Sequence, residues 1–346
     1  MLSFVIFPIV FYLNRDFISE KQVKRISYLF SISVVILILF QLFQLAINYD
    51  FIASKLSPEE IKLNGYESIT EMKEETIQKI KLRRFRNFII KVSNTHTTYQ
   101  GLWISFSIFF LSLSTSNEKK NKLKILNIFL ILILSFWLYL ISARMPLIAL
   151  LGASFVTIMV FSKFTKKVKL LISLVTLTFI IVINLFNNPI SVRIKEYYRT
   201  GTSILNSKKS VEDYNSSIVR NGVYFCDIQL LKKAPLLGVG VGDTQKELNN
   251  CYSEKIGAEI YQWHTYNTHN QYLFFWISAG LFGFLSFLFK IGYLFKKSFD
   301  KKQVLLFFFI LLSATVFLSE NLLERSDGVI FFSFFSALFY FNQNKS

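Results

Sequence analysis

The chain has 346 residues, of which 52% are hydrophobic and 18% are charged, and its formal net charge is +17. This composition excludes an ordinary soluble domain, because the apolar residues form long uncharged blocks instead of repeating with a helix or strand period. About 20 such residues cross the hydrocarbon core of a bilayer. We therefore predict an all-α, polytopic membrane protein, since a membrane β-barrel would instead show short alternating segments of about 10 residues.

Eight apolar blocks are long enough to be membrane spans, and a ninth is short. The eight predicted spans lie at 26–47, 97–114, 125–143, 145–162, 170–186, 271–295, 304–319 and 328–342. The ninth, residues 1–13, lacks the basic start and small-residue cleavage site of a signal sequence, so we expect a short or re-entrant helix. The predicted organisation is N-terminal helices in 1–186, a large loop in 187–270 and C-terminal helices in 271–346.

Lysine and arginine concentrate in every second loop. The basic loops are 14–25, 115–124, 163–169 and 296–303, which together hold 16 Lys and Arg but only 4 Asp and Glu. Cytoplasmic loops carry this excess, so the positive charge indicates orientation and not a nucleic-acid surface. The N-terminus is then outside and the C-terminus inside. The outward-facing loops are 48–96, 143–146, 187–270 and 320–327.

Arginines on the outer side are candidate anion ligands. Arg144 interrupts an apolar stretch of about 38 residues, where the chain must turn and where a charge at membrane depth is costly. It is either an anion ligand at the outer mouth of the bundle or a turn residue that reaches lipid headgroups. Arg193 and Arg220 lie in the large outer loop. Guanidinium groups donate paired hydrogen bonds that suit phosphate, although a single loop arginine is usually just solvated.

All three histidines lie at or near the outer membrane boundary. His96 precedes one span, while His264 and His269 precede another. Histidine can take or give a proton near neutral pH, so His269 is either a general base or a structural interfacial residue. Its five-residue distance from His264, with no carboxylate pair nearby, argues against a metal site. Cys226 and Cys251 both fall in the outer loop, where either a disulfide or two free thiols would fit.

The large outer loop contains two further patterns. Apolar residues from Ser216 to Lys232 predict an amphipathic helix that stops at Pro235. GVGVGD (238–243) lacks the strand and helix of a dinucleotide fingerprint, so its glycines would either pack closely or present N–H groups to an anion. In the following span, Gly280 and Gly283 favour close helix packing.

Five sequence blocks, in order, resemble the O-antigen ligase and O-antigen polymerase superfamily of bacterial envelope enzymes. The blocks are THTTYQGLWISF (95–106), SARMPLIALL (142–151), SSIVRNGVYFCDIQLLKKAPLLGVGVGD (216–243), THNQYLFFWISAGLFGFLSFL (268–288) and SENLLERSDGVIFFSFFSALF (319–339). The resemblance covers residues 85–342. Family members carry more spans before the first block, which leaves open where an acceptor would bind, and "SR" is common where this chain has "SAR".

The resemblance implies a glycosyl transfer without metal or cofactor on the outer, periplasmic face of the bacterial inner membrane. The implied donor is a glycan on undecaprenyl pyrophosphate. The implied acceptor is the lipid A core for a ligase, or a second lipid-linked glycan for a polymerase. Membrane lipids are further partners, and nucleic acid is not. Two other classes remain open, a transporter or flippase for lipid-linked sugars and a non-catalytic scaffold of polysaccharide assembly.

The resemblance also implies roles for individual residues. His269 would be the general base that activates an acceptor hydroxyl. The implied ligands of the pyrophosphate and sugar are Arg144, Arg220, Arg193, Asn270, His96 and Tyr99. Among them the arginines would stabilise the leaving pyrophosphate, and Asn270 would orient the sugar or the histidine. His96 and Tyr99 would line the same mouth.

Overall fold

In the computed structural model of the protein, the structure describes residues 2–63, 66–163, 165, 216–258 and 260–342. The regular elements in these ranges are all helical. The chain divides into two compact units, called here the first unit (Met1–Thr157 with Lys290–Ser346) and the second unit (Ile158–Phe289).

The α-helices of the described residues are numbered along the chain. They are α1 (Ser3–Leu13), α2 (Glu20–Ile47), α3 (Tyr49–Ala53), α4 (Pro58–Leu63), α5 (Glu74–Ser93), α6 (Thr97–Asn117), α7 (Asn121–Leu140), α8 (Arg144–Phe161), α9 (Ser216–Lys233), α10 (Thr244–Cys251), α11 (Ile260–Trp263), α12 (Gln271–Asp300), α13 (Val304–Phe317) and α14 (Ser326–Phe341). A π-helical turn, Tyr252–Ile256, follows α10. The helix predicted from Ser216 to Lys232 is observed as α9.

Four helices of the described chain, α2, α7, α8 and α12, are long and apolar enough to cross a membrane. Three shorter apolar helices, α1, α13 and α14, accompany them. The predicted all-α polytopic membrane fold is therefore confirmed. The predicted span 170–186 lies outside the described residues. The predicted span 97–114 is a helix, α6, but it is not one of the four.

α6 is more polar than its neighbours because the first unit encloses it. Nearly every residue from Thr97 to Leu111 is buried, and its polar side chains bond to other segments. Ser105 Oγ donates to the Pro146 carbonyl at 3.1 Å, and Gln100 Oε1 accepts from Gln41 Nε2 at 2.9 Å. A helix that contacts protein on all sides does not need the uniformly apolar surface of a lipid-facing helix.

The lipid-facing character of the first unit appears on α2 and α7. Large apolar side chains on these helices are exposed, among them Phe43, Ile125 and Phe129. The interior is aromatic instead. Phe106 on α6 has its ring centroid 4.6 Å from that of Phe335 on α14, within the usual range for paired aromatic rings. The bundle thus buries phenylalanines inside and leaves an apolar surface for lipid tails.

The loop predicted at 48–96 is folded, and Arg84 on α5 organises it. Arg84 Nη1 donates to the Ser54 carbonyl at 3.0 Å. Its Nε donates to Glu60 Oε1 at 2.9 Å. The Arg84 hydrogen bond holds the pKa of the Glu60 carboxyl below its usual value. This arginine fixes α3, α4 and α5 together at the entry to α6.

Candidate functional site

The described candidate residues fall into two groups, one in each unit. The group in the second unit centres on His269, in the turn before α12. Its backbone φ is 45°, a left-handed conformation that non-glycine residues seldom adopt and that clusters at functional sites. The His269 N–H donates to Asn267 Oδ1 at 3.1 Å, and Thr268 Oγ1 donates to the Asn270 carbonyl at 3.0 Å. A fixed backbone thus carries the half-buried imidazole.

Asn270 is the cap of α12. Its Oδ1 accepts hydrogen bonds from the N–H groups of Tyr272 and Leu273 at 3.0 and 3.2 Å. Asparagine is favoured at this position because its short side chain satisfies the first N–H groups of a helix. The oxygen is therefore engaged by the helix. A contact with a sugar or with His269 would fall to the Nδ2 amide.

Three tyrosines, Tyr252, Tyr261 and Tyr266, form a cluster next to His269, called here the tyrosine cluster. The ring centroids of Tyr252 and Tyr261 are 4.8 Å apart, those of Tyr261 and Tyr266 are 5.5 Å apart, and that of Tyr266 is 6.4 Å from the imidazole. The Tyr252 hydroxyl donates to the Tyr266 carbonyl at 3.1 Å. The Tyr261 hydroxyl donates to the Val219 carbonyl at 2.8 Å. The cluster thus ties the His269 turn to α9.

Arg220 is on α9, directly after the residue whose carbonyl accepts from the tyrosine cluster, and it is half-buried. On the same helix Cys226 is joined by a disulfide to Cys251, at the end of α10. Tyr252 follows that cysteine and begins the tyrosine cluster. The helix that carries Arg220 and the turn that carries His269 are therefore connected by a covalent bond and by hydrogen bonds.

The glycine-rich segment GVGVGD packs its backbone against α12. The N–H groups of Val239 and Gly240 donate to the carbonyls of Ile277 and Ser278 at 2.8 and 3.0 Å. These two N–H groups are used inside the protein. Of the two roles that the sequence suggested for the glycines, close packing is the one observed at these positions.

α12 is interrupted where this segment contacts it. Gly280 has φ 67° and ψ −168°, a combination that only glycine adopts readily. A Cβ atom at Gly238 would lie 2.6 Å from the Gly280 nitrogen. The expectation that Gly280 lets two helices pack together is wrong, because its close neighbour is the loop. Large exposed apolar side chains on α12, such as Phe282 and Phe289, come after the interruption.

The group in the first unit lies at the start of α6 and α8. Arg144 is the first residue of α8 and is half-buried. It follows a turn in which Ser142 has a φ of 51°. The two helices are in contact here, because a Cβ atom at Gly101 on α6 would lie 2.6 Å from Ala143 Cβ and 2.9 Å from Pro146 Cγ. Arg144 is thus held between two residues that touch α6.

His96 is the cap of α6, and its Nδ1 accepts from the backbone N–H two residues on at 3.3 Å. It is five residues before Gly101, which corresponds to about 7.5 Å along the helix axis. His96 and Arg144 are therefore at the same end of α6. Tyr99 is buried, and its hydroxyl donates to the Asn321 carbonyl at 3.4 Å. It turns toward the loop before α14.

Sequence reasoning missed Arg86. Its Nη2 donates to Thr97 Oγ1 at 2.9 Å, beside His96. The arginine-rich stretch KLRRFRNF, directly before the histidine block, is the signal that would have pointed to it. Arg193, the remaining candidate, lies outside the described residues. Within the described part of the chain, no group of three or more His, Cys, Asp and Glu side chains could hold a metal ion.

Taken together, the fold and these residues define a multi-pass helical membrane protein with histidine and arginine side chains at the starts of helices. A family model described as O-antigen ligase matches residues 129–288, a range that includes Arg144, Arg220 and His269. The match confirms the resemblance to the O-antigen ligase and polymerase superfamily. The matched stretch supports an O-antigen ligase/polymerase-type membrane enzyme, and that family implies lipid-linked glycans as substrates. No curated protein matches the chain.

Proposed function

We propose that the protein transfers a glycan from undecaprenyl pyrophosphate to a sugar hydroxyl on the periplasmic face of the bacterial inner membrane. The observation that carries this proposal is the His269 turn. A half-buried imidazole on a left-handed backbone, held by Asn267, Thr268 and the tyrosine cluster, lies within the O-antigen ligase match. Such preorganisation is what a catalytic group requires, because a small misplacement lowers the rate steeply.

The proposed reaction is one displacement at the anomeric carbon of the donor. The acceptor oxygen forms a bond to this carbon as its proton passes to the His269 imidazole. The bond between the anomeric carbon and the pyrophosphate oxygen breaks, and the pyrophosphate leaves with the electron pair. The protonated imidazole then releases its proton to water. A general base of this kind contributes typically ~10²–10⁴-fold to the rate.

Three arginines are the proposed ligands of the pyrophosphate. Arg144 is at the first position of α8, where the helix dipole adds to the positive charge of the guanidinium. Arg220 is on a helix fixed by a disulfide, and Arg193 is the third proposed ligand. Charge-assisted, paired hydrogen bonds from guanidinium groups would stabilise the charge that develops on the leaving oxygen. Under this proposal the enzyme needs no metal ion.

The test is transfer by purified protein from a lipid-linked donor, with and without EDTA. We expect full turnover with EDTA, and a strict requirement for a divalent metal would contradict the mechanism. Translocation of the donor in proteoliposomes without formation of a glycosidic bond would instead identify a transporter. A gene deletion, analysed on a lipopolysaccharide gel, identifies the acceptor. Loss of all O-chain with accumulated lipid-linked polymer indicates a ligase, and a single-repeat band indicates a polymerase.

A further inference from the structure

The first unit contains a cavity of about 340 Å³ at the end of the bundle opposite to His96 on α6. It lies where α2 begins, α6 ends, α13 begins and α14 ends. Three of the four basic loops, 14–25, 115–124 and 296–303, supply part of its lining or adjoin it. By the charge rule these loops face the cytoplasm, so we call this space the inner cavity. Its size is within the ~300–1,000 Å³ range of small-molecule sites.

One wall of the inner cavity carries two buried oxygen atoms that have no hydrogen-bond partner among the described residues. Gln303 is 8% exposed, and its Nε2 donates to the Asn342 backbone carbonyl at 3.2 Å. That bond fixes the orientation of the amide, so Oε1 is the atom left to accept. The two buried oxygen atoms are Gln303 Oε1 and Asn342 Oδ1, and both residues line the cavity. Buried acceptors of this kind require a donor.

The rim of the inner cavity carries two lysines and two glutamates, of which Glu118 accepts two neighbouring backbone N–H groups with its Oε1 at 2.9 and 3.0 Å. Lys24 Nζ contacts Glu20 Oε1 at 2.7 Å, in a pair whose side chains are mostly exposed. Exposed pairs are weak, so a phosphate can replace or share this contact. Lys302 is exposed and has a φ of 52°. It ends α12 in a Schellman motif, with the Gln303 N–H donating to the Ser298 carbonyl at 2.8 Å. Glycine is the usual residue at that position.

Most of the remaining lining is apolar, with Ser114 and Asn117 as its polar members. Val23, Phe110, Leu306 and Phe339 line the cavity and are almost fully buried. A ligand that matches the rim lysines, the two buried oxygen atoms and the apolar wall must carry an anion, hydrogen-bond donors and hydrocarbon. Glycerol phosphate supplies the anion and the hydroxyl donors, and its diacyl ester supplies the hydrocarbon. A choline headgroup has no donor, and an ethanolamine headgroup would bring a further cation to a region whose three adjoining basic loops already hold 12 Lys and Arg against 4 Asp and Glu.

We propose that the inner cavity binds an anionic phospholipid of the phosphatidylglycerol type from the inner leaflet. The phosphate contacts Lys24 and Lys302, and the headgroup hydroxyls donate to Gln303 Oε1 and Asn342 Oδ1. The glycerol backbone lies against the apolar wall. Basic pockets between membrane helices on the cytoplasmic side are known to hold anionic headgroups. The cavity is at the end of the bundle opposite to His96 and, by the charge rule, on the cytoplasmic side, so the lipid is a bound structural ligand and not a substrate.

The test compares lipid binding by two double variants that remove equal charge. Lys24→Gln/Lys302→Gly changes both rim lysines, and glycine retains the left-handed turn. Lys21→Gln/Lys301→Gln changes two neighbouring lysines that do not line the cavity. Native mass spectrometry of the full chain would use phosphatidylglycerol, phosphatidylethanolamine and phosphatidylcholine at equal concentrations.

We expect the unmodified chain and the control variant to retain one phosphatidylglycerol, at least tenfold more tightly than the other two lipids. In the rim variant the preference for phosphatidylglycerol over the other two lipids should be about tenfold smaller. Its melting temperature should stay near that of the control variant. Equal loss in both variants would show bulk charge attraction and would overturn the proposal, as would a cavity that retains no lipid. Displacement of the lipid by free glycerol phosphate at equal concentration would contradict the proposal that the ligand is a membrane phospholipid.

Discussion

A single methyl group at Gly280 should damage the second unit severely. Gly280 combines a φ of 67° with a ψ of −168°. For any other residue this backbone costs of order 1–3 kcal/mol. A Cβ atom there would also overlap the Leu236 carbonyl and lie 2.6 Å from the carbonyl carbon of Leu237. Both obstacles are backbone atoms that cannot rotate away.

The magnitude for Gly280→Ala follows from these two terms. Overpacking typically costs another 1–3 kcal/mol, so the total is about 2–6 kcal/mol. Gly292 provides the matched control, because it is on the same helix and nothing lies within 4 Å of a Cβ atom built there. Alanine in a helix interior is more favourable than glycine by roughly 0.5–1 kcal/mol, so Gly292→Ala should be neutral or stabilising.

The assay is thermal unfolding of the purified variants in one detergent, followed by glycan transfer at a temperature where both are folded. Gly280→Ala should unfold well below the parent protein, while Gly292→Ala should unfold with it or above it. Gly280→Ala should also lose transfer, since the loop that packs at the interruption belongs to the unit that carries His269. Equal melting temperatures for the two variants would refute the assigned backbone geometry.

Three further predictions concern the second unit. Asp227 is fully buried, neither carboxylate oxygen has a hydrogen-bond partner among the described residues, and burial raises its pKa from 3.8 to about 8. The folded state then keeps a proton that the unfolded state releases, so the free energy of unfolding should fall by up to ~1.4 kcal/mol per pH unit between pH 4 and 8. Asp227→Asn should flatten this slope in melting curves, and an unchanged slope would contradict the burial. Tyr252→Phe removes the hydrogen bond to the Tyr266 carbonyl, worth ~0.5–1.5 kcal/mol. It should lower kcat, while the melting temperature falls only as far as the loss of this one bond predicts. An unchanged kcat would show that the tyrosine cluster does not contribute to the reaction. Reduction of the Cys226–Cys251 bond, which spans 25 residues, should lower stability by roughly 3 kcal/mol, and Cys226→Ser/Cys251→Ser should melt like the reduced protein in either redox condition.

The helices were predictable because apolar blocks and charged loops are properties of the chain itself. The predicted span 26–47 lies within α2, and the predicted end of an amphipathic helix before Pro235 matches the end of α9 at Lys233. α6 was predicted as a helix too. Its enclosure by protein could not be read from the sequence, since that depends on which segments surround it.

The interruption at Gly280 was not predictable, because a glycine in an apolar helix is compatible with helix packing, with a kink or with neither. The contact that decides the outcome comes from Leu236, more than forty residues earlier in the chain. The tyrosine cluster escaped prediction for the same reason, since the Tyr261 hydroxyl bonds to Val219. The capping role of Asn270 was readable locally, because asparagine before an apolar run is a common start of a helix.

The most direct test of the proposed mechanism compares two histidines in one loop. His264→Ala and His269→Ala both remove an imidazole, but the His264 side chain is exposed, whereas that of His269 is half-buried beside the tyrosine cluster. Single-turnover transfer from a lipid-linked donor should fall by about 10²–10⁴-fold in His269→Ala and stay near the parent rate in His264→Ala. Full activity in His269→Ala, or an equal loss in both variants, would contradict the assignment of His269 as the base.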